Sequence, residues 1–276
     1  MSCNSPVAVQ LEPVEPVRPA AAYIGGKRNL AKRLVPLIGA TPHVTYAEAF
    51  VGMGGVFFRR DRRPRVEVIN DWSEDVATFF RVLQHHYIAF LEMLRFQISS
   101  RAGFERLMRQ DPTTLTDLQR SARFLYLQRL AFGGKVAGRN FGVRIDAPAR
   151  FDVTKLGPLL EAIHERLASV TIERLPWSQF LARYDRPGTL FYLDPPYYGS
   201  EGDYGAELFG RDQFELMAEQ LRALRGRFIL SINDHPDVRR IFAGFAFREE
   251  EVRYTIAGND NGKIARELVI TGGRAA

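Results

Sequence analysis

The sequence predicts an α/β fold: a mostly parallel sheet with an antiparallel C-terminal hairpin strand, interrupted by a helical insert. Near the start of the chain, β-prone runs alternate with apolar patterns of helical period, which is typical of a parallel sheet. Strand signals fade between residues 82 and 168, and two β-prone runs flank an Asn261-Gly262 turn, which predicts a hairpin. We therefore expect one domain, residues 22–81 with 169–276, into which residues 82–168 are inserted.

Composition and charge narrow the class of protein. The 276 residues are 46% hydrophobic, 25% charged and 12% aromatic, which excludes wholesale disorder, collagen and a coiled-coil rod. No apolar run approaches the roughly 18 residues of a membrane span, and the start of the chain lacks a signal-peptide pattern. The lone Cys3 excludes an internal disulfide and suits a reducing compartment. A net charge of +6 favours a nucleic-acid partner.

The first elements are predicted in chain order. Residues 1–21 contain four prolines and scattered acids, which predicts a disordered leader. After the Gly25-Gly26-Lys27 turn, apolar residues at helical spacing over 30–38 predict a helix, with Asn29 as its candidate N-cap.

The next elements follow a strand-helix alternation. Residues 44–50 predict a strand that ends in a glycine turn, and the apolar residues 56–60 predict that a helix follows the glycines directly. Residues 65–71 predict a second strand that ends in an acid, and residues 75–94 predict a long helix.

The insert and the C-terminal half complete the prediction. Residues 123–132 have an arginine-rich helical pattern, and the glycines at 133, 134, 138 and 142 lie between aromatics, which predicts a hairpin or loop with exposed basic tips. Further strands are predicted at 169–175, 189–193 and 227–233.

The glycine-rich segment 48–55 is the first that carries chemistry. Glycines between a strand and a helix let a ligand lie against main-chain amides. Asp71 follows Glu48 by 23 residues, close to the spacing of about 20 at which an acid after the second strand accepts hydrogen bonds from ribose hydroxyls. An adenosine-bearing cofactor fits this pattern. The glycines alone are equally consistent with an ordinary glycine-rich connection.

The segment Asp194-Pro195-Pro196-Tyr197 is the second, and it follows an apolar strand. Two prolines fix φ near −65° and remove two backbone donors, which leaves a rigid group of carbonyl and carboxylate acceptors. Asp194 and the Pro195 carbonyl would together accept both hydrogens of an exocyclic amine while Tyr197 stacks on the base. The alternative is a Pro-Pro turn that caps a buried strand with a packed tyrosine.

These segments together resemble the Dam-like DNA adenine methyltransferases. The matching pieces occur in the family's order and span nearly the whole folded region: Tyr23-Ile24-Gly25-Gly26-Lys27, Phe50-Val51-Gly52-Met53-Gly54, Asp71 and Asp194-Pro195-Pro196-Tyr197. The last box is specific to amino-group methylation of bases. The Gly-Gly-Lys opening is typical of members whose target-recognition insert precedes that box.

The resemblance implies a Rossmann-like methyltransferase sheet with a helical target-recognition insert. It implies S-adenosylmethionine as the methyl donor, S-adenosylhomocysteine as its product, and no metal. Tyr23 would stack near the cofactor, Lys27 would help to close its site, and Asp71 would hold the ribose. The implied cofactor-binding residues are Tyr23, Lys27, Glu48, Phe50, Gly52, Gly54, Asp71 and Asp194, and the implied catalytic residues are Asp194, Pro195, Pro196 and Tyr197.

Two segments depart from the family pattern. Relatives often carry an acid before a phenylalanine upstream of the catalytic strand, which binds the cofactor's adenine amine. Here Ser178 and Gln179 precede Phe180, so one of them is expected to make that contact. The insert echoes the family only over 128–134, so the resemblance predicts no recognition sequence.

The expected partner is double-stranded DNA, and the expected protein is a cytoplasmic monomer of bacterial or phage type with no membrane association. The predicted DNA-binding residues are Arg129, Lys135, Arg139, Asn140 and Arg144 of the insert. His85-His86 lacks companion ligands, which favours a solvated or interfacial pair over a metal site.

Other functions stay open at this point. A cytosine-N4 or amide methyltransferase would ordinarily replace the acid of the box by serine or asparagine. A nicotinamide-dependent oxidoreductase would use the glycine loop but leave the Asp-Pro-Pro-Tyr box and the basic insert unexplained. A non-catalytic DNA-binding protein on the same fold would have no need of an intact box.

Overall fold

The computed structural model describes residues 10–23, 25–142, 146–200, 209–254 and 263–274. Within them one sheet is formed by β2 (Thr45–Glu48), β4 (Val66–Asn70), β5 (Thr171–Glu173), β6 (Thr189–Leu193), β7 (Arg227–Asn233), β8 (Ala246–Tyr254) and β9 (Lys263–Gly273), and a second pair by β1 (Glu12–Pro13) and β3 (Arg62–Arg63). The sheet has the order β5-β4-β2-β6-β7-β9-β8. Its first five strands are parallel and β9 is antiparallel to both neighbours, so the predicted fold class is confirmed.

The central strand β6 positions the site. All five of its residues are buried, as is typical of a parallel strand covered on both faces. It pairs with β2 on one side and β7 on the other, and its register places Tyr192 beside Glu48. The segments that carry the glycine loop and Asp194 therefore leave the sheet side by side.

Helices cover both faces of the sheet. They are α1 (Ala31–Ala40), α2 (Glu74–His85), α3 (Tyr87–Leu94), α4 (Arg101–Arg109), α5 (Asp117–Leu130), α6 (Val153–Leu167), α7 (Trp177–Tyr184), α8 (Asp212–Ala223) and α9 (Pro236–Ile241). Among the described residues, none of the helices combines the length and the apolar character that crossing a membrane requires.

Two hydrophobic cores divide the side chains of β6. Leu190 and Tyr192 belong to the core that also contains residues of α1 and α2, and Phe191 and Leu193 belong to the core that contains residues of α7, α8 and α9. Buried residues of α3, α4, α5 and α6 belong to the first core. The insert helices thus continue the layer that covers the sheet. The domain boundaries at 82 and 168 remain a prediction.

A buried ion network joins the insert to the sheet. Glu67 of β4 accepts hydrogen bonds from the Nη1 and Nη2 atoms of Arg166 on α6, at 2.6 and 2.7 Å, and also pairs with Arg60. Burial raises the pKa of Glu67, but the two guanidiniums outweigh burial and hold it below its ordinary value. Because all three side chains are nearly inaccessible, each depends on the others for compensation of its charge.

The predicted leader differs from the structure over its described part. Glu12–Pro13 pairs with Arg62–Arg63, the Val17 amide donates to the Phe58 carbonyl, and Ala20 is buried. A proline is tolerated in an edge strand because it only forgoes a donor there, so proline content alone does not prevent docking. Residues 1–9 lie outside the described residues.

The segment after the glycine loop is also different from its prediction. Instead of a helix over 56–60 there is a single 3₁₀ turn, Phe57–Arg59. Gly54 has a φ of +73°, and a Cβ there would lie 2.2 Å from the Phe58 ring. The backbone at Gly54 therefore lies close against the Phe58 ring. Helix α1 forms as predicted, but its N-cap is Leu30, without a side-chain cap, rather than Asn29.

Candidate active site

The carboxyl ends of β2, β4 and β6 open into one cavity of about 690 Å³. It brings together most of the residues predicted from the sequence: Tyr23, Lys27, Glu48, Phe50, Gly52, Asp71, Asp194 and Pro196. Three further predicted residues, Gly54, Pro195 and Tyr197, do not line it. Gly54 packs against Phe58, and the Tyr197 hydroxyl accepts a hydrogen bond from Lys27. The sequence motifs therefore converge at one edge of the sheet.

Asp71 fastens the loop after β2 to the loop after β4. Its Oδ2 accepts a hydrogen bond from the Gly52 amide at 2.8 Å, and its Oδ1 accepts one from the Ser73 amide at 2.9 Å. Desolvation raises the pKa of Asp71 to about 6, although both amide bonds act in the opposite direction. The carboxylate thus shapes the glycine loop as well as facing the cavity.

Tyr23 packs directly on the glycine loop. Gly52 has a φ of +50°, and a Cβ on it would lie 3.0 Å from Cδ1 of Tyr23. Both the backbone conformation and the close approach of the ring therefore require glycine at this position. Tyr23 also lines the cavity, and its stacking near a cofactor stays a prediction.

Glu48 is buried at the end of β2. The Tyr46 hydroxyl donates a hydrogen bond to its Oε2 at 2.6 Å. Burial raises the pKa of Glu48 to about 8, and the charge of Asp194 adds to the rise. At pH 7 the Glu48 carboxyl is therefore mostly neutral in the absence of a bound cation.

Asp194 leaves the end of β6 and faces the same cavity. The Ser231 hydroxyl donates to its Oδ1 at 3.2 Å, and the Lys27 ammonium lies 3.1 Å from that oxygen. Burial raises the pKa of Asp194 to about 6; Lys27 lowers it and Glu267 raises it further. Asp194 is therefore an ionised acceptor at neutral pH, and it is also able to take up a proton.

Tyr197 and Lys27 are held by a residue that the sequence patterns did not single out, Glu267 of β9. The Tyr197 hydroxyl accepts a hydrogen bond from Lys27 Nζ at 2.7 Å and donates one to Glu267 Oε1 at 2.7 Å. Lys27 Nζ also lies 3.1 Å from Glu267 Oε2 and 4.1 Å from the centroid of the Tyr197 ring. Lys27 thus links the cofactor cavity to the Asp194 box instead of only closing the cofactor site.

Trp72 is a second residue that the sequence patterns did not single out. It follows Asp71, lines the cavity, and keeps 44% of its side chain exposed. A bulky aromatic directly after the post-strand acid is the signal that could have found it. The Ser178 and Gln179 side chains, expected at the adenine amine, do not line the cavity, and Gln179 is exposed.

The predicted DNA-binding residues occupy different environments. Arg129 Nε and Nη1 donate to the carbonyls of Arg150 and Ala20, both at 2.7 Å, and Arg139 Nη2 donates to Gln128 Oε1 at 3.1 Å. Desolvation lowers the pKa of both Arg129 and Arg139. These two arginines face inward, whereas Lys135 and Asn140 are exposed, and Arg144 lies outside the described residues.

A second cavity of about 670 Å³ adjoins the first, and Ala21, Ala22 and Arg129 line both. Its basic lining residues are Arg101, Arg129, Arg150 and Lys155. Arg129 and Arg150 bond to backbone carbonyls, and Arg101 lies over the Phe141 ring. Carbonyls and rings do not neutralise a guanidinium, so this cavity carries a positive charge next to the predicted cofactor site.

Comparisons with known sequences assign the chain to a family. The family model described as "D12 class N6 adenine-specific DNA methyltransferase" matches residues 23–256. The Type II methyltransferase M.CviBI of Paramecium bursaria Chlorella virus NC1A is 20% identical over 258 residues, which cover 92% of this chain and 97% of that relative.

Two solved structures resemble this chain at low sequence identity. PH1948, a proposed RNA methyltransferase from Pyrococcus horikoshii, is 9% identical with a TM-score of 0.40, over 90% of this chain and 84% of the other. SMU.472, which was solved with SAH, is 12% identical with a TM-score of 0.39, over 93% of this chain and 55% of the other. The family model, in contrast, spans all four motifs and most of the chain. The chain belongs to the D12 class of N6 adenine-specific DNA methyltransferases.

Proposed function

We propose that this enzyme transfers the methyl group of S-adenosylmethionine to the exocyclic amine of an adenine flipped out of duplex DNA. The observation that carries the proposal is that Asp194, the amine acceptor, and Gly52 and Asp71, the cofactor residues, line one cavity. Family membership supports the reaction class. The shared cavity supports this edge of the sheet as the place where the methyl donor and the target amine would meet.

The residues around the cavity suit an adenosine-bearing cation. The backbone at Gly52 allows close approach of a ligand, the Asp71 carboxylate retains lone pairs for ribose hydroxyls, and the exposed Trp72 face suits an adenine ring. Asp194 supplies a negative charge towards a positive ligand, and a bound cation would favour ionisation of the Glu48 carboxyl. When bound, S-adenosylmethionine supplies an electrophilic methyl group on its sulfonium.

Asp194 and the Pro195 carbonyl orient the target amine. The adenine amine is a poor nucleophile because its lone pair is conjugated into the ring. Two acceptors that hold its hydrogens favour the tetrahedral geometry of the transition state and turn the lone pair towards the methyl donor. With a pKa raised to about 6, Asp194 is a suitable base for the proton that the methylated amine loses.

The second cavity supports contact with the DNA backbone. A flipped base costs a few kcal/mol in lost stacking and pairing, which the enzyme must offset through phosphate and groove contacts. Arg101, Arg129 and Arg150 place positive charge in the cavity that adjoins the first one. The exposed Lys135 would extend that surface, while Arg139 would hold the loop 132–142 in shape.

Product analysis tests the proposal. Purified protein is incubated with duplex DNA and S-adenosylmethionine, the DNA is digested, and methylated nucleosides are identified by mass spectrometry. We expect N6-methyladenine. N4-methylcytosine, or no methylated nucleoside, would overturn the proposal. Sequencing that reports methylated adenines then supplies the recognised site.

A further inference from the structure

Glu267 is a buried carboxylate in the C-terminal hairpin, beyond residue 256 where the family match ends. It lies on β9 between Arg266 and Leu268, and its side chain is 1% exposed. A carboxylate in such a position carries a desolvation cost of several kcal/mol unless its partners compensate it. Its burial on β9, which pairs with a strand on each side, therefore needs a specific explanation.

The partners of Glu267 are the residues of the methyl-transfer site. One oxygen accepts from the Tyr197 hydroxyl and the other lies 3.1 Å from Lys27 Nζ, which in turn contacts Asp194. The Tyr197 hydroxyl both accepts a hydrogen bond from Lys27 and donates one to Glu267, and the two bonds together restrict the orientation of its ring. Lys27 Nζ lies over one ring face, so a stacked base would lie against the other.

Lys27 stands between two carboxylates. Its Nζ lies 3.1 Å from Asp194 Oδ1 and 3.1 Å from Glu267 Oε2. The charge of Glu267 raises the pKa of Asp194, whereas Lys27 lowers it. Glu250, which lies opposite Glu267 on β8, is paired instead with Arg33 and Arg248. Glu267 and Asp194 therefore share the charge of Lys27.

We propose that Glu267 is a positioning residue of the methyl-transfer site, which acts through Tyr197 and Lys27 to orient the stacking ring and to share the charge of Lys27 with Asp194. This role rests on the proposed function. It gives the C-terminal hairpin an indirect part in the reaction beyond a structural one.

The test compares Glu267→Gln with Glu267→Asp in single-turnover methylation at saturating cofactor from pH 5 to 9. Loss of the Glu267 charge removes one cause that raises the pKa of Asp194, so the acid limb of the Gln variant should move to lower pH. We expect its plateau rate to fall by about tenfold to a hundredfold, less than the loss of a direct transition-state contact would cost. The Asp variant, which keeps the charge, should retain the wild-type acid limb and recover part of the rate.

Two controls separate this role from a structural one. Glu250→Gln removes another buried carboxylate from the same hairpin and should stay within about threefold of the wild-type rate. S-adenosylhomocysteine affinity and DNA affinity of Glu267→Gln should also stay within about threefold. A fall in the rate of the Glu250 variant as large as that of the Glu267 variant would overturn the proposal, because the effect would then belong to the hairpin in general.

A double-mutant cycle with Tyr197→Phe tests the route of the effect. If Glu267 acts through the Tyr197 hydroxyl, the cost of Glu267→Gln shrinks in the Phe background; full additivity overturns the proposal. Should Glu267→Gln fail to bind S-adenosylhomocysteine, Tyr197→Phe alone carries the test, since it keeps every carboxylate and the ring. A wild-type rate for that variant overturns the proposal.

The two proposals fail differently. A wild-type protein that methylates no adenine ends the proposed function. A wild-type protein that methylates adenine, with Glu267→Gln at the same rate and the same pH profile, ends only the role of Glu267.

Discussion

Asp71 offers a sharp test of the proposed cofactor site because its two oxygens accept the loop amides while the residue also lines the cavity. Asp71→Ala removes the acceptor of the Gly52 and Ser73 amides, each a bond to a charged group worth about 1.5–3 kcal/mol. Losing a ribose contact of similar strength corresponds to a rise in Kd of about 10- to 150-fold. The variant should therefore lose both stability and cofactor affinity, and Asp71→Asn, which keeps one acceptor, should lie between it and the wild type.

Asp185 is the matched control. It also accepts hydrogen bonds from two backbone amides, those of Arg225 and Gly226, but at the amino ends of the parallel strands. Asp185→Ala should lower the free energy of unfolding by a comparable amount and leave cofactor affinity unchanged. Calorimetry with S-adenosylhomocysteine and denaturant unfolding measure the two effects. A folded Asp71→Ala protein with wild-type affinity would refute the assignment.

Further predictions follow from the same geometry. Asp194→Ala should lower single-turnover methylation by about 10²-fold or more at saturating cofactor, because a transition-state acceptor is lost; a wild-type rate would refute the mechanism. Replacing Arg101 and Arg150 by Gln should reduce the slope of log DNA affinity against log salt without changing S-adenosylhomocysteine affinity, and an unchanged slope would place the DNA elsewhere. Glu67→Gln leaves two guanidiniums buried without their carboxylate and should cost about 3–5 kcal/mol in denaturant unfolding; a cost below about 1 kcal/mol would show that the network is dispensable.

The strands near the site and the residues that follow them could be predicted because their signals are local. A β-prone run followed by glycines, an acid after the next strand, and an acid with two prolines after a third each report on a few consecutive residues. Parallel strands then bring these ends to one edge without further information. This is why Gly52, Asp71 and Asp194, all predicted as site residues, line one cavity. Their roles stay predictions.

Contacts between distant segments could not be predicted in this way. Lys27 and Glu267 are separated by 240 residues, and neither segment indicates the other. The one available signal was within β9, where alternation places Glu267 on the same face as the buried Val269. A charged residue at a core-facing position needs a buried partner of opposite charge or a hydrogen-bond donor, but the pattern does not indicate which residue that partner is.

The leader and the glycine loop show a different limit. Proline content correctly reports low helix and sheet propensity over residues 10–21, yet a few backbone bonds to the segment 58–63 are enough to dock it. Over 56–60 the apolar run correctly reports burial, but Phe57 and Phe58 are buried from a 3₁₀ turn rather than from a helix. Composition predicted burial correctly over 56–60, whereas it predicted disorder for the leader. At both places the backbone conformation depended on packing partners elsewhere in the chain.

Burial of the carboxyls has a consequence for product release in the proposed reaction. Asp194 and Glu48 have raised pKa values because both are buried, so each gains more from a neighbouring positive charge than an exposed carboxyl would. In that reaction the positive charge moves with the methyl group from the sulfonium to the amine nitrogen, and it is lost from the amine when Asp194 takes the proton. Once Asp194 has returned the proton to solvent, the thioether and the methylated amine are both neutral. The carboxyls therefore attract the intact donor more strongly than the thioether, which favours exchange of the spent cofactor for a new donor.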